Sequence, residues 1–403
     1  MRRNMRKGRS GIMAVILSAA LGAGMMTGCG NTGRNTAETP AVTAAGTTAG
    51  TAAGTTTGTA AGTTTGTAAE NTAENTAGAA KQEGKATHDV TDMAGRTVTL
   101  PTEIDSIATF GSIGVINAFV ELMGSGEKIC NDMTASFTKS DKWAMQYEFA
   151  PQIKGAPVLQ NADGEIQMEK VLALNPDLCL VMSKDLIEPL ESNGLNVIYF
   201  EWKQTNDVKT AVTLMGEVLD KKELAQDYLS YFDQMVEEAG EKAASLKDGD
   251  KKTVLYGNID KLTQPHVIAE WWIEAAGGIS VTKDSWNNEN GSCTYTQEDV
   301  LKWNPDVMIV TDPSMKAVLM EDSLYSDING VKNGAIYSIP TVAHVWGNRT
   351  VEQPLTVFWT MNKLYPEVVG TDELKEKISY FYSHFFQYEV SEEQLDAIIG
   401  GVS

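Results

Sequence analysis

Cysteine and histidine each occur four times in 403 residues, and that scarcity removes several function classes at once. Four cysteines cannot staple a chain of this length by disulfides. No His or Cys pair stands at the compact spacing of a metal site, which argues against direct capture of a bare transition metal. Basic residues are also short, with Lys+Arg 32 against Asp+Glu 53 and a net charge of −21. A phosphate-tracking surface needs a basic face, so a nucleic-acid partner is excluded. No apolar run reaches the ~20 residues of a membrane-spanning helix. No nucleophile elbow, Walker loop or HExxH motif is present. What is there is 42% hydrophobic with 8 Trp, enough for packed cores and incompatible with disorder of the whole chain. The length allows two or three domains.

The positive charge is unevenly spent. Arg2, Arg3, Arg6, Lys7 and Arg9 crowd the start, and no acid precedes Cys29. An apolar run from Ile12 to Met26 follows, then the small-residue stretch Met26-Thr27-Gly28-Cys29. Charged, apolar and small segments in that order make a secretory signal. Its ending on Gly-Cys resembles the lipobox of bacterial lipoproteins, which implies removal of residues 1–28, lipid on Cys29, and an extracytoplasmic location on the cell membrane. Residues 29–87 then collapse to Thr, Ala and Gly, with a near-repeat beginning at Ala53 and again at Ala61. Such a segment has no apolar surface to bury and reads as a flexible linker. A coil of ~57 residues spans roughly 40 Å.

A self-match organises the remainder. Glu169-Lys-Val-Leu-Ala-Leu-Asn-Pro-Asp-Leu-Cys-Leu-Val181 aligns without gaps on Glu298-Asp-Val-Leu-Lys-Trp-Asn-Pro-Asp-Val-Met-Ile-Val310, with Glu, Val, Leu, Asn, Pro, Asp and the last Val identical. Each copy reads as a short helix that stops before Asn-Pro and continues into a buried strand, which makes Cys179 a buried, inert thiol. Two copies suggest two lobes of related build, 88–220 and 248–403, the second carrying closing helices. Cys130 and Cys293 then fall in different lobes and are not expected to bridge. Between the lobes, Leu224, Tyr228, Leu229, Phe232, Met235, Val236, Ala239 and Ala243 recur at helical spacing. They predict an interlobe helix over 221–247, nearly 40 Å long. Strands are also expected at Ile104–Phe110, Asn196–Phe200, Thr253–Tyr256 and Ala335–Ile339. Their alternation with helices predicts an α/β fold with a mainly parallel sheet in each lobe.

Asp89-Val-Thr-Asp-Met-Ala-Gly-Arg-Thr-Val-Thr-Leu-Pro101, Ile107-Ala-Thr-Phe-Gly-Ser112, the repeated Asn-Pro-Asp segment, Glu274-Ala-Ala-Gly-Gly278 and Leu364-Tyr-Pro366 together resemble the substrate-binding proteins of ABC importers for ferric siderophores, haem and cobalamin. The resemblance covers essentially all of 88–403. It implies a class III periplasmic-binding-protein fold: two α/β lobes joined by one rigid helix, with a ligand cleft between them. It also implies a non-enzymatic, monomeric receptor that passes its ligand to a permease dimer, needs no cofactor, and carries a metal chelate, ferric siderophore first, then haem, cobalamin, molybdate or tungstate. One surface Glu per lobe docks on the permease in this family, and Glu169 and Glu298 occupy the matching positions. Paired permease subunits would present paired basic pockets to them.

In open α/β sheets ligands lie beyond the carboxyl ends of strands. That rule nominates Ser112, Lys184, Tyr256 and, above all, the loop from Thr341 to Thr350, where His344, Trp346 and Arg349 fall within six residues. Thr350-x-x-Gln353 reads as a capping box that would set Arg349 just before a helix N-terminus, a natural anion seat. Trp143, Tyr147 and Trp286 lie in polar stretches and are candidate stacking rings; His266, after Pro265, could reach a metal or haem. Trp271, Trp272, Trp303 and Trp359 read as core. A chelatase-like enzyme using His266, His344 and Arg349, or a surface receptor on the same fold, are the alternatives from other classes.

Overall fold

The two copies of the repeat fold alike, residue for residue, in a computed structural model that describes residues 86–111, 113–202, 204–286 and 291–401. In the first copy the helix Met168–Leu174 stops at Asn175 and leads into the strand Leu178–Val181. In the second, Gln297–Trp303 stops at Asn304 and leads into Val307–Val310. Both asparagines are left-handed, at φ 49 and φ 44, a conformation Asn tolerates better than most side chains and one that ends a helix sharply. The Asp after each Pro ties the turn to the neighbouring strand start. Asp177 Oδ2 accepts from the Ser106 amide and hydroxyl, and Asp306 Oδ2 accepts from those of Thr253. The shared Asn-Pro-Asp is thus a structural clasp, used once per lobe.

Around each clasp a parallel sheet forms. Ile107–Thr109, Leu178–Val181 and Val197–Tyr199 lie side by side, with Ala108 opposite Cys179 and Cys179 opposite Val197. The second sheet runs in the order Ile336–Ser338, Val307–Val310, Thr253–Gly257, Ile279–Ser280, also parallel. The strands Leu178–Val181 and Val307–Val310 are buried along their whole length, as expected of parallel sheets covered on both faces. The fold is therefore the expected α/β arrangement with two parallel sheets. A hairpin, Thr87–Thr91 with Thr97–Pro101, precedes them. Its turn explains Asp-Met-Ala-Gly-Arg: buried Asp92 accepts from the Ala94 and Arg96 amides and the Arg96 guanidinium, while Gly95 takes φ 78.

The helix Lys222–Ala244 stands between the two sheets in sequence, about 35 Å long at 1.5 Å per residue. It buries Ala225, Tyr228, Phe232, Met235 and Ala239, a stripe at three- and four-residue steps. Helices Asn206–Val218 and Gln353–Leu364 pack on it, and Tyr228 Oη donates to the Val351 carbonyl at 2.7 Å. Two further family-like segments meet here: Tyr365 Oη donates to the Gly277 carbonyl and accepts from the Lys252 amide, both at 2.9 Å. The helices Thr371–Phe385 and Glu392–Gly400 close the chain and reach back to the first lobe, where Phe149 stacks on Tyr382 at 5.5 Å. One continuous core consequently runs from Val90 to Ile399. No helix among the described residues is long and apolar enough to cross a membrane. The leader, Cys29 and residues 30–85 of the linker lie outside the described residues, as does Ser112; the expected linker ends early, since Thr87 already opens the hairpin and the Thr102 amide donates to the Ala86 carbonyl.

Candidate ligand-binding site

The loop between the strand Ile336–Ser338 and the helix Gln353–Leu364 carries the site. The capping box expected at Thr350 does not form: the helix starts at Gln353 with Glu352 at its N-cap and proline in the first turn, and no side chain caps it. Glu352, which takes the N-cap position in place of Thr350, turns its carboxylate back into the loop. Glu352 accepts from the Ala343 amide (2.9 Å), the His344 amide (2.8 Å) and the Thr350 hydroxyl (3.0 Å), and from Tyr382 Oη. Arg349 therefore does not abut the helix end; it sits in a loop folded around a buried carboxylate.

That carboxylate is part of a buried polar chain spanning both lobes. Gln146 Nε2 donates to the Ala343 carbonyl at 2.7 Å and to Glu121 Oε2 at 3.1 Å. Its amide oxygen accepts from Asn117, which accepts in turn from the Thr109 hydroxyl at the end of the first sheet. Burial pushes the Glu121 carboxyl well above its ordinary range, and the charge of Glu352 adds to this. Burial raises Glu352 as well, against its four donors. The network fixes the loop backbone so that His344 is presented in one orientation.

His344 is buried, and its imidazole is driven down to about 3, by burial first and then by its basic neighbours His266, Lys142 and Arg349. His266 is pushed to about 4 by burial, with Arg349 adding to the effect. Burial lowers Lys142 as well, opposed by Asp312, and lowers Arg349, opposed by Asp207. Three basic side chains, one from the first lobe and two from the second, therefore act on one buried imidazole. His344 Nε2 lies 3.4 Å from Asn348 Nδ2, whereas Nδ1 has no hydrogen-bond partner. The Trp143 ring lies over the imidazole, centroids 5.3 Å apart. Gly114 makes this fit possible, because a Cβ there would stand 2.9 Å from Trp143 Cζ3 and 3.3 Å from His344 Nδ1.

The lobes meet around this cluster. Lys142 Nζ donates to the Thr311 carbonyl at 3.0 Å, and Arg349 Nη1 donates to the Trp202 carbonyl. Tyr256 is the last residue but one of an inner strand of the second sheet, fully buried and edge-on to Trp272 at 5.1 Å. Its hydroxyl has no partner and lies where a Cβ on Gly347 would come within 2.2 Å. Trp346 is fully buried in the same loop.

Other nominated residues lie elsewhere. Tyr147 donates to Asp132 Oδ1 at 2.9 Å, its phenol raised to about 12 by burial and that carboxylate. Trp286 packs on the second-lobe cluster around Ile259 and Cys293. Lys184 is exposed, its ammonium 5.3 Å from the Tyr199 ring. Glu169 and Glu298 are exposed in the first turns of the repeat helices. Residue-by-residue reading missed Lys142, whose neighbour Trp143 drew the attention, and the buried pair Glu121 and Glu352. Glu121 stands alone among apolar residues of the helix Ile113–Leu122, and that isolation was the available signal.

A family profile described as periplasmic binding protein matches residues 129–343, more than half of the chain. Three relatives place it further. The uncharacterised ABC transporter substrate-binding lipoprotein YvrC of Bacillus subtilis is 25% identical over 202 residues, 47% of this chain and 63% of that protein. The iron(3+)-hydroxamate-binding protein YxeB of the same organism is 22% identical over 193 residues, 43% of this chain and 58% of that protein. Both matches span less than two thirds of the relative's length. The molybdate-binding protein MolA of Haemophilus influenzae is 23% identical over 332 residues, 74% of this chain and 90% of that protein. Its crystal structure with molybdate superposes with a TM-score of 0.64 at 18% identity, covering 75% of this chain and 99% of that one, which shows a common fold.

Proposed function

The chain belongs to the periplasmic binding protein family, and from that premise we propose that it is the substrate-binding component of an ABC importer, tethered by lipid on Cys29, that holds an anionic ligand between its lobes. Membership of a family of binding proteins sets aside the chelatase reading. One observation carries the ligand class: Lys142, His266 and Arg349 all act on the buried imidazole of His344, whose Nδ1 is left without a partner. Lys142 and Arg349 are charges held partly out of water, which is costly unless an opposite charge stands near, and the neutral imidazoles of His266 and His344 beside them can take up a proton when an anion arrives. An anion entering here would receive charge-assisted bonds from both lobes and thereby hold them together. The donors Lys142 and Arg349 already reach carbonyls of the opposite lobe, so the lobes are in contact around the site, and a compact oxyanion of the molybdate kind asks for less opening than a bulky chelate. The long alignment to MolA supports the same choice.

A second reading keeps the same site but a larger guest, an anionic ferric chelate stacked on Trp143; the half-buried ring over His344 favours it. Calorimetric titration of the purified protein with molybdate, tungstate, sulfate and a ferric tris-catecholate separates the two. Tight binding of molybdate or tungstate alone is expected. Binding of the catecholate alone would give the site to the chelate, and binding of none would remove the anion reading. Delivery to the permease would use Glu169 and Glu298, each exposed and, among the described residues, outside any ion pair.

A further inference from the structure

Single exposed apolar side chains are ordinary on any protein surface. Two at equivalent positions of a duplicated element are not. Leu172 is 43% exposed and Leu301 is 39% exposed, and the repeat superposes one on the other, three residues after Glu169 and Glu298 respectively. Three residues along a helix is the same face. The surrounding frame is duplicated as well: buried Val171 and Val300 on the inner side, helices of 7 residues each, and left-handed Asn caps. Among the described residues, the other large apolar side chains of comparable exposure are Val267, Ile279, Val318, Met320, Leu324 and Tyr380, none of which falls within the repeat. The flanking positions differ, Lys170 against Asp299 and Ala173 against Lys302; besides the Asn caps, the Glu-x-x-Leu pair is what both lobes keep identical and exposed.

We propose that Leu172 and Leu301 are the apolar half of a duplicated docking surface whose partner is a two-fold symmetric membrane-protein dimer, each subunit offering a basic pocket for the Glu and an apolar seat for the Leu. The proposal rests on the docking reading of Glu169 and Glu298. A chain that carries one patch twice, on lobes otherwise different in sequence, fits a partner that presents one surface twice. The carboxylate steers and orients the encounter, while the leucine supplies desolvated contact area, and with it a slower dissociation.

The test uses the full-length, lipid-anchored protein in its own cells. Leu172→p-benzoylphenylalanine and Leu301→p-benzoylphenylalanine are photo-crosslinked, with Glu169 and Glu298 positions probed in parallel, and the adducts are mapped by mass spectrometry. Positions 172 and 301 are expected to label the same peptide of one polytopic membrane protein. Adducts to two unrelated proteins, or to a second copy of this chain, would overturn the proposal. With that membrane protein in nanodiscs, Leu172→Ala and Leu301→Ala are each expected to weaken association about tenfold, the order set by burying part of a leucine, with melting and ligand affinity unchanged. If Glu169→Gln with Glu298→Gln weakens association and the alanines do not, the leucine inference fails and the charge docking stands. If the alanines weaken it and the glutamines do not, the charge docking fails alone. If neither pair has an effect, both fail.

Discussion

Replacing Arg349 by alanine strikes the site at the point where the two lobes meet and the proposed anion would sit. In the free protein its guanidinium is partly buried, is lowered by that burial, and bonds the Trp202 carbonyl of the other lobe. A charge-assisted hydrogen bond to an anion contributes about 1.5–3 kcal/mol, so Arg349→Ala should weaken anion binding roughly 10- to 150-fold. The same substitution also strips a donor from the Trp202 carbonyl, which costs at most about 1–3 kcal/mol of stability if no water replaces it. Affinity by calorimetry and stability by urea denaturation must therefore be measured on the same variant. Arg349→Lys should recover part of the affinity and little of the specificity, since an ammonium cannot reproduce the planar two-pronged donor. Normal affinity with reduced stability would make Arg349 a structural bond between lobes and refute its role as a ligand contact. Trp143 gives an independent signal: with its ring over His344, its emission should change when an anion enters.

Five further outcomes are expected. Cys29→Ser should release the protein from membranes, and continued retention with an intact leader would refute lipid anchoring. Glu169→Lys with Glu298→Lys should abolish uptake while affinity on the isolated protein stays within a few-fold; a matching loss of affinity would place these residues in the cleft. In the free protein His344 and His266 titrate at about 3 and about 4, below the ordinary 6.5, so their contribution to stability is full above ~6.5 and is lost as pH falls toward 3, where the unfolded chain binds protons the folded one refuses. Because Glu121 and Glu352 are raised and pull the other way, the readout is the difference between wild type and His344→Gln, which should lose less stability across that window. An anion placed beside these imidazoles would raise them again, so binding should take up protons and tighten from pH 7 to 5, measurable as a buffer-dependent binding enthalpy. Glu352→Gln should cost about 1–3 kcal/mol of stability, because its amide nitrogen replaces one of the two accepting oxygens and faces either the Ala343 or the His344 amide as a donor.

Much of the architecture is written in local pattern. The repeat strands end where the alignment ends them, at Val181 and Val310, because Asn-Pro-Asp is a local device: a left-handed cap, a helix stop and a carboxylate clasp within three residues. The long helix was legible for a similar reason, its apolar stripe repeating over 23 residues. The site was legible only in part. His344 and Arg349 stand out as rare residue types in a short loop, yet their environment comes from residues distant in the chain. Lys142 bonds Thr311 across 169 positions, and Gln146 bonds Ala343 across 197; neither pairing leaves a trace in local sequence. The capping-box reading of Thr350 failed for a related reason. The N-cap carboxylate had better partners than the helix end, since two loop amides, a hydroxyl and a buried phenol outcompete the solvated cap it would have made.

The central claim is that an anion sits among Lys142, His266, His344 and Arg349. Crystals grown with tungstate and measured at the tungsten edge test it directly. A single strong anomalous peak within hydrogen-bond reach of His344 Nδ1 and the Arg349 guanidinium is predicted. Tungstate bound in solution but located away from that cluster, or no binding at millimolar concentration together with full binding of an uncharged ligand, would contradict it.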